Sequence, residues 1–274
     1  MTIPVEDNFE DVLAKAMRGL GFTPAGLATL TGSSESAIAT LLRGNRDDVL
    51  MSAVADLLEL NPAALQSLAE RPVGPETSLP DGITLFNTPY PVPGYEEMSV
   101  NSYIVRPPGS MQLFMIDAGG NIAGAESLLC ERGVEAKSLF LTHTHRDHIV
   151  HYEACARIVE RCYAPEREPY KMAQPVKSGE SYALGGDWQL EALPTPGHSP
   201  GGTSYLLTGP DVPVAFVGDA IFCRSIGKAD QAYKSALSAI RKNILSLPEA
   251  TVICPGHGPI TTVWFERSNN PFFA

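Results

Sequence analysis

Residues 143–148 read His143-Thr144-His145-Arg146-Asp147-His148 and directly follow the run Ser138-Leu139-Phe140-Leu141. Three imidazoles and a carboxylate crowded into six positions after an apolar run are what a β-strand delivering metal ligands from its C-terminal end looks like. The chain holds six histidines, and four of them, His143, His145, His148 and His151, fall within nine residues. The other two each follow a Pro-Gly step, in Pro196-Gly197-His198 and Pro255-Gly256-His257. Histidines scattered over a surface or satisfied singly in a core explain neither the clustering nor the two Pro-Gly-His turns. The pattern predicts a metal site.

Composition narrows what surrounds that site. The chain has 274 residues, 44% hydrophobic and 19% charged, enough for one large domain plus one small one with a sizeable core. A formal charge of −11 argues against extended contact with nucleic acid or anionic lipid, each of which needs a basic face. The five cysteines (Cys130, Cys155, Cys162, Cys223, Cys254) are odd in number and contain no Cys-x-x-Cys pair, so a disulfide framework and a zinc ribbon are both disfavoured. The N-terminus, Met1-Thr2-Ile3-Pro4-Val5-Glu6-Asp7, lacks a basic segment backed by an apolar one, and no stretch reaches membrane-spanning length. A cytoplasmic protein with no membrane partner is expected.

The periodicity changes near residue 71. Before it, Phe9, Val12, Leu13, Ala16, Met17 and Leu20 follow the helical period, and Thr23-Pro24 and Asn61-Pro62 each place a cap before a first-turn proline. About five short helices are predicted, near 8–20, 24–31, 34–43, 48–60 and 62–70. Residues 71–82, with three prolines and two glycines, read as a linker. Residues 83–274 then form the second domain, with strand-like runs at 83–86, 98–106, 112–116, 137–141, 188–193, 202–207, 213–217 and 250–254. Helices fit at about 121–132, 148–160 and 230–246. Interleaved strands and helices indicate a layered α/β protein. The helices of residues 1–70 resemble, in their order, a Cro-like helix-turn-helix domain, with 34–42 as the reading helix. Through residue 75, however, ten acids stand against five bases. The reading helix also offers no Arg, Lys, Asn or Gln before Arg43. Covering the catalytic domain or self-association, the latter giving a homo-oligomer, suits this segment better than binding nucleic acid.

His143 and His145, two apart at a strand end, can share one metal, while Asp147 and His148 on the following turn can address a second. A two-metal hydrolytic site also needs further nitrogen ligands and a bridging oxygen donor. His198, Asp219 (closing Val214-Ala215-Phe216-Val217-Gly218-Asp219) and His257 are available for this. A phosphate-binding Gly-x-x-x-x-Gly-Lys loop and a Gly-x-Ser-x-Gly elbow are both absent.

The ordered series His-x-His-x-Asp-His, Thr-Pro-Gly-His, Gly-Asp and Pro-Gly-His-Gly-Pro resembles the metallo-β-lactamase fold, a four-layer αβ/βα sandwich, over roughly residues 83–270. The resemblance implies two divalent ions, zinc before iron or manganese: His143, His145 and His198 on the first, Asp147, His148 and His257 on the second, and Asp219 bridging. Asp147 and Asp219 are the candidate catalytic carboxylates. Gly218-Asp219-Ala220-Ile221-Phe222, Ser225-Ile226-Gly227-Lys228-Ala229-Asp230 and the tail from Pro255 resemble the glyoxalase II-like thioester hydrolases. The match is to the short form without the C-terminal glutathione-binding region. That resemblance implies a small-molecule thioester substrate, attacked by a metal-bridging hydroxide. Lys228 is the candidate substrate-binding residue, receiving a carboxylate or phosphate of the substrate. His151 is expected at the rim, and Cys223 in buried packing. The chain departs from the family in three places: Val150-His151 replaces a common Gly-Gly, Lys228-Ala229-Asp230 replaces Arg-Thr-Asp, and the N-terminal helices are foreign to it. Two other readings stay open, a mononuclear-iron persulfide dioxygenase and a DNA-binding regulator whose metal domain senses a ligand.

Overall fold

The computed structural model describes residues 3–90, 98–120 and 133–274. The helix expected at 121–132, and Cys130 within it, lie outside the described residues. Five helices come first: α1 (Phe9–Leu20), α2 (Pro24–Thr31), α3 (Glu35–Leu41), α4 (Asp48–Leu57) and α5 (Pro62–Glu70). Four of their starts are fixed by side-chain caps, in which Thr23, Ser34, Asp47 and Asn61 each accept from the N–H three residues on. The amphipathic spacing of α1 buries Phe9, Val12, Leu13 and Ala16 on one face.

Two six-stranded sheets follow. The first runs β1 (Ile83–Pro89), β2 (Ser99–Val105), β3 (Gln112–Ile116), β4 (Glu135–Phe140), β5 (Arg161–Pro165), β6 (Gln174–Val176) in spatial as in chain order. The second contains β7 (Ser181–Gly185), β8 (Trp188–Pro194), β9 (Thr203–Thr208), β10 (Val214–Gly218), β13 (Val252–Pro255) and β14 (Thr261–Thr262), ordered β14-β13-β10-β9-β8-β7. Between β10 and β13 lie a small hairpin, β11 (Ile221–Phe222) with β12 (Ser225–Ile226), and helix α8 (Tyr233–Asn243). Helix α9 (Val263–Asn269) follows β14.

Alternation along the strands sorts side chains into layers. Phe114, Ile116, Tyr205 and Phe216 meet between the sheets, while Leu113, Met115 and Leu139 face Tyr152 and Cys155 on the outer side of the first sheet. On the outer side of the second sheet, Ala215, Val217 and Ile253 pack with Tyr233 and Ile240 of α8. The result is helix, sheet, sheet, helix, the predicted four-layer α/β sandwich. The N-terminal helices join that last layer: Val12, Leu13, Leu27, Ile38, Met51 and Leu65 belong to the same continuous cluster as Ala215 and Ile253. Each such side chain, fully buried, contributes ~1.5–3 kcal/mol relative to exposure. Arg224, in the turn of the β11–β12 hairpin, fastens the two parts further. Its guanidinium donates to the carbonyls of Ala64 (3.2 Å) and Arg71 (2.8 Å) at α5.

The single helix expected at 148–160 is broken. Arg146–Ile149 forms α6 and Tyr152–Ala156 forms α7, because the His148 carbonyl, which would continue the helix, accepts instead from Ala118 N–H. The remainder of that span leads into β5, one of several short strands with little apolar alternation. Among the described residues, no helix is long and apolar enough to cross a membrane.

Candidate metal centre

Parallel pairing determines where the chemistry collects. β3 and β4 run parallel, so their C-terminal ends bring Asp117 beside Thr142 and the His143–His148 turn. β10 and β13 also run parallel, which places Asp219 beside Pro255-Gly256-His257. The sheets pack face to face, and the two ligand-bearing edges meet. His198 arrives from the loop between β8 and β9.

All seven residues singled out from the sequence converge. Among the described residues two groups can hold a metal: His143, His145 and His198, and then Asp147, His148, Asp219 and His257, with the ligand atoms of each group within 4.8 Å of one another. Asp219 stands between the groups. Its Oδ1 lies 3.2 Å from His148 Nε2, and its Oδ2 lies 3.3 Å from His198 Nε2, 3.4 Å from His257 Nε2 and 3.9 Å from His143 Nε2. His257 Nε2 is also 3.1 Å from Asp147 Oδ2.

The outward-facing ring nitrogens settle which atoms point inward. His257 Nδ1 donates to the Ser99 carbonyl (2.7 Å), His198 Nδ1 to the Lys228 carbonyl (3.1 Å) and His148 Nδ1 to the Asp117 carboxylate (2.9 Å). Carbonyl and carboxylate oxygens only accept, so each Nδ1 bears the proton and each Nε2 faces the centre. Three of the converging atoms, His143 Nε2, His148 Nε2 and Asp219 Oδ1, are buried without a hydrogen-bond partner. Orphaned polar atoms aimed at a shared space are costly in a closed interior and are what a cation satisfies once the ring nitrogens are unprotonated. The cluster is able to bind a metal.

Charge among these side chains is distributed unevenly. Burial alone would lift the Asp219 pKa, but His257, His148 and His198 hold it well below the ordinary carboxylate range. Burial opposes a cation at His148, yet Asp219 and Asp117 outweigh it and push the imidazole up to about 10. His257 is likewise raised against burial, by Asp219 and Asp147, whereas burial leaves His143 and His198 below the usual range. The upward shifts at His148 and His257 favour the protonated rings, and a ring nitrogen must be free of its proton to bind a metal. Filling this group is expected to release protons, and their number sets how steeply affinity falls as pH drops. Calorimetric titration with zinc in buffers of different ionisation enthalpy measures that number; a buffer-independent enthalpy contradicts it.

Asp117 escaped the sequence reading. It is buried, sits at positive φ (59°), and accepts from Thr142 N–H (2.7 Å), Thr142 Oγ1 (2.8 Å) and His148 Nδ1. The available signal was a carboxylate closing the apolar strand Leu113–Ile116, the same signal that marks Asp219. Asp117→Asn would turn a donor toward donors, and a 10- to 100-fold loss of metal affinity is expected in a competition titration.

Lys228 has a backbone contact that the sequence did not announce. Its side chain is 62% exposed and pairs with Asp230 (3.3 Å), while its main-chain carbonyl is what contacts His198. A groove of about 760 Å³ opens beside His145 and His198, lined among others by Lys228 and by Arg167, which the sequence reading passed over. His151 lies outside both metal-binding groups. Cys223 is buried, and burial pushes its thiol far up.

Comparison with known proteins agrees with this geometry. The Metallo-beta-lactamase superfamily profile matches residues 157–257. The probable metallo-hydrolase YqgX of Bacillus subtilis is 30% identical over 188 residues, covering 59% of this chain and 87% of that protein. Hydroxyacylglutathione hydrolase GloC of Haemophilus influenzae is 28% identical over 184 residues, covering 58% and 85%. Among solved structures, TTHA1623 in a di-iron-bound form superposes with a TM-score of 0.52 at 25% identity, covering 68% of this chain and 99% of that one.

Proposed function

The chain belongs to the metallo-beta-lactamase superfamily, and from that membership and the geometry of its centre we propose that it is a dinuclear-metal hydrolase of acyl thioesters, of the glyoxalase II type. The observation that carries the reading is Asp219, whose two oxygens reach ring nitrogens drawn from both groups. A carboxylate so placed suits two neighbouring cations. In this reading His143, His145 and His198 hold one divalent ion, Asp147, His148 and His257 the other, and Asp219 both. Imidazole and carboxylate donors of this kind accept zinc, and also iron or manganese. When bound, the ions would supply a nucleophile from water at neutral pH and polarise an acyl carbonyl.

The chain's own residues would do the rest. His145 and His198 face the groove and set where the carbonyl must lie. Lys228 and Arg167 place two cations along that groove, which suits a thiol carrier bearing carboxylate or phosphate. A thiol has a pKa of ~8.5, so the thiolate leaves without much help from an acid, which fits a centre with no dedicated proton donor among its described residues. The mononuclear reading is disfavoured because it leaves His257 and Asp147, 3.1 Å apart, without a task. Nucleic acid is left out of the proposal, since the N-terminal helices carry more acids than bases and share their apolar face with the metal domain.

The test is direct. Protein loaded with zinc should contain about two ions per chain and hydrolyse S-lactoylglutathione or an acyl-CoA, followed by loss of thioester absorbance. Complete chelation should abolish the reaction. Turnover that survives metal removal, or oxygen consumption on glutathione persulfide in place of thioester cleavage, sinks this assignment.

A further inference from the structure

The N-terminal helices do more than cover apolar surface. Helix α1 reaches the segment that packs directly on the metal centre. Lys15, its side chain 13% exposed, pairs with Asp7 at the foot of α1 and donates from Nζ to the Ile226 carbonyl at 2.8 Å. Its ammonium also lies 5.2 Å from the Phe222 ring centre, and that ring in turn meets His257 edge-on at 5.6 Å. One turn on, Arg18 pairs with Asp230 at 3.3 Å. Residues 226–230 are thus held at both ends from α1.

What lies between those ends matters. A methyl group on Gly227 would stand 1.8 Å from the Asp219 carbonyl and 3.0 Å from His198 Nδ1, so this backbone rests against two of the proposed ligands. The next residue, Lys228, supplies the carbonyl that fixes the His198 ring. The turn before α1 approaches the other ligand loop, since a methyl on Gly258 would lie 3.2 Å from Glu6 N.

We propose that Lys15 is a positioning residue for the metal centre: by anchoring Ile226 it holds segment 226–228 so that the Lys228 carbonyl orients His198. This rests on the reading of His198 and Asp219 as metal ligands. An ammonium is suited to the task, because it offers three donors and here serves a carboxylate, a carbonyl and an aromatic face together. A carbonyl held by a charge-assisted bond in a buried place is far less mobile than one held by water. The N-terminal segment then belongs to the catalytic apparatus without touching substrate.

The experiment uses the full chain carrying Asp7→Asn with Lys15→Met, which removes both charges together and leaves no buried ion unpaired. Zinc affinity is measured by competition, and amide hydrogen exchange is followed in the metal-free protein. Loss of an oriented partner typically weakens a metal site 10- to 100-fold. The expected result is a loss of that size at one of the two ions, with faster exchange at residues 226–230. Gly19→Ala is the second variant. Its methyl would stand 2.3 Å from Tyr233 Cγ, wedging α1 off α8 while favouring the helix itself, and the same two changes are expected. Arg46→Ala, which breaks ion pairs to Asp48 and Glu70 elsewhere in the helical segment, should alter neither. Folded variants with wild-type zinc affinity and wild-type exchange at 226–230 overturn the proposal, even if their Tm falls. A wild-type protein that takes up no zinc overturns the ligand reading and this proposal with it, whereas equal uptake by wild type and variants overturns this proposal alone.

Discussion

Asp219→Asn is expected to lower thioester hydrolysis by about a thousandfold, some 4 kcal/mol of barrier, and to leave the purified protein with less than its full pair of ions. The substitution keeps the shape of the side chain and removes its charge. It also converts one of two acceptors into an NH2 donor. If that donor replaces Oδ1 it faces His148 Nε2 at 3.2 Å, and if it replaces Oδ2 it faces the ring nitrogens of His198 and His257 at 3.3 and 3.4 Å. Either orientation leaves at least one group of ligands facing an amide hydrogen where it needs an oxygen lone pair. The chain should remain folded, because the sheets and their cores do not depend on this carboxylate. Metal analysis and steady-state kinetics on the same preparation decide the matter; a fully loaded, fully active Asp219→Asn protein would remove the bridging role.

The second large effect is expected from a single methyl group. Gly256 sits between the two carboxyl-end edges, its N–H donating to the Gly218 carbonyl (2.8 Å) and its carbonyl accepting from Asn101 N–H (2.7 Å). A Cβ there would stand 2.2 Å from Asp219 Oδ1 and 2.5 Å from His148 Cε1. Neither neighbour has room to retreat, since both are buried and His148 is tied behind by Asp117. Gly256 is not at positive φ, so alanine suits the backbone and the whole penalty is steric. Overpacking of this kind costs ~1–3 kcal/mol, equivalent to a Tm lower by several degrees. The same displacement should empty the group containing His148 and cut turnover by at least about a hundredfold. Metal content per chain, together with thermal unfolding of the metal-free protein, measures both parts. Wild-type loading would show that the loop yields more readily than its hydrogen bonds imply.

The centre was far more legible in the sequence than its supports. The seven convergent residues are chemically conspicuous, and each lies shortly after a strand end or in a Pro-Gly turn, so their meeting follows once the strands pair in parallel. Asp117 carries the same strand-end signal as Asp219, but Ala118-Gly119-Gly120 beyond it offers no second ligand to draw attention. Lys228 was legible as a position but its backbone contact was not, because sequence reveals an ammonium and conceals which carbonyl a neighbouring imidazole will use. The break at Val150-His151 depends on a hydrogen bond from Ala118, thirty residues earlier, and local periodicity contains no trace of it. The apolar face of α1 announced that something would cover it. Only the fold shows that the partners are α5 and α8, the latter packed on the outer face of the second sheet.

The bond network around Arg224 bears on how this protein can be handled. Because its guanidinium is spent on the carbonyls of α5, and the same helices share one apolar cluster with α8, a chain trimmed back to residue 83 would bare a greasy scar beginning at Tyr233 and strand a buried cation. Anyone transplanting the metal domain into a fusion, or shuffling it among relatives, must carry the N-terminal helices and Arg71 along with it.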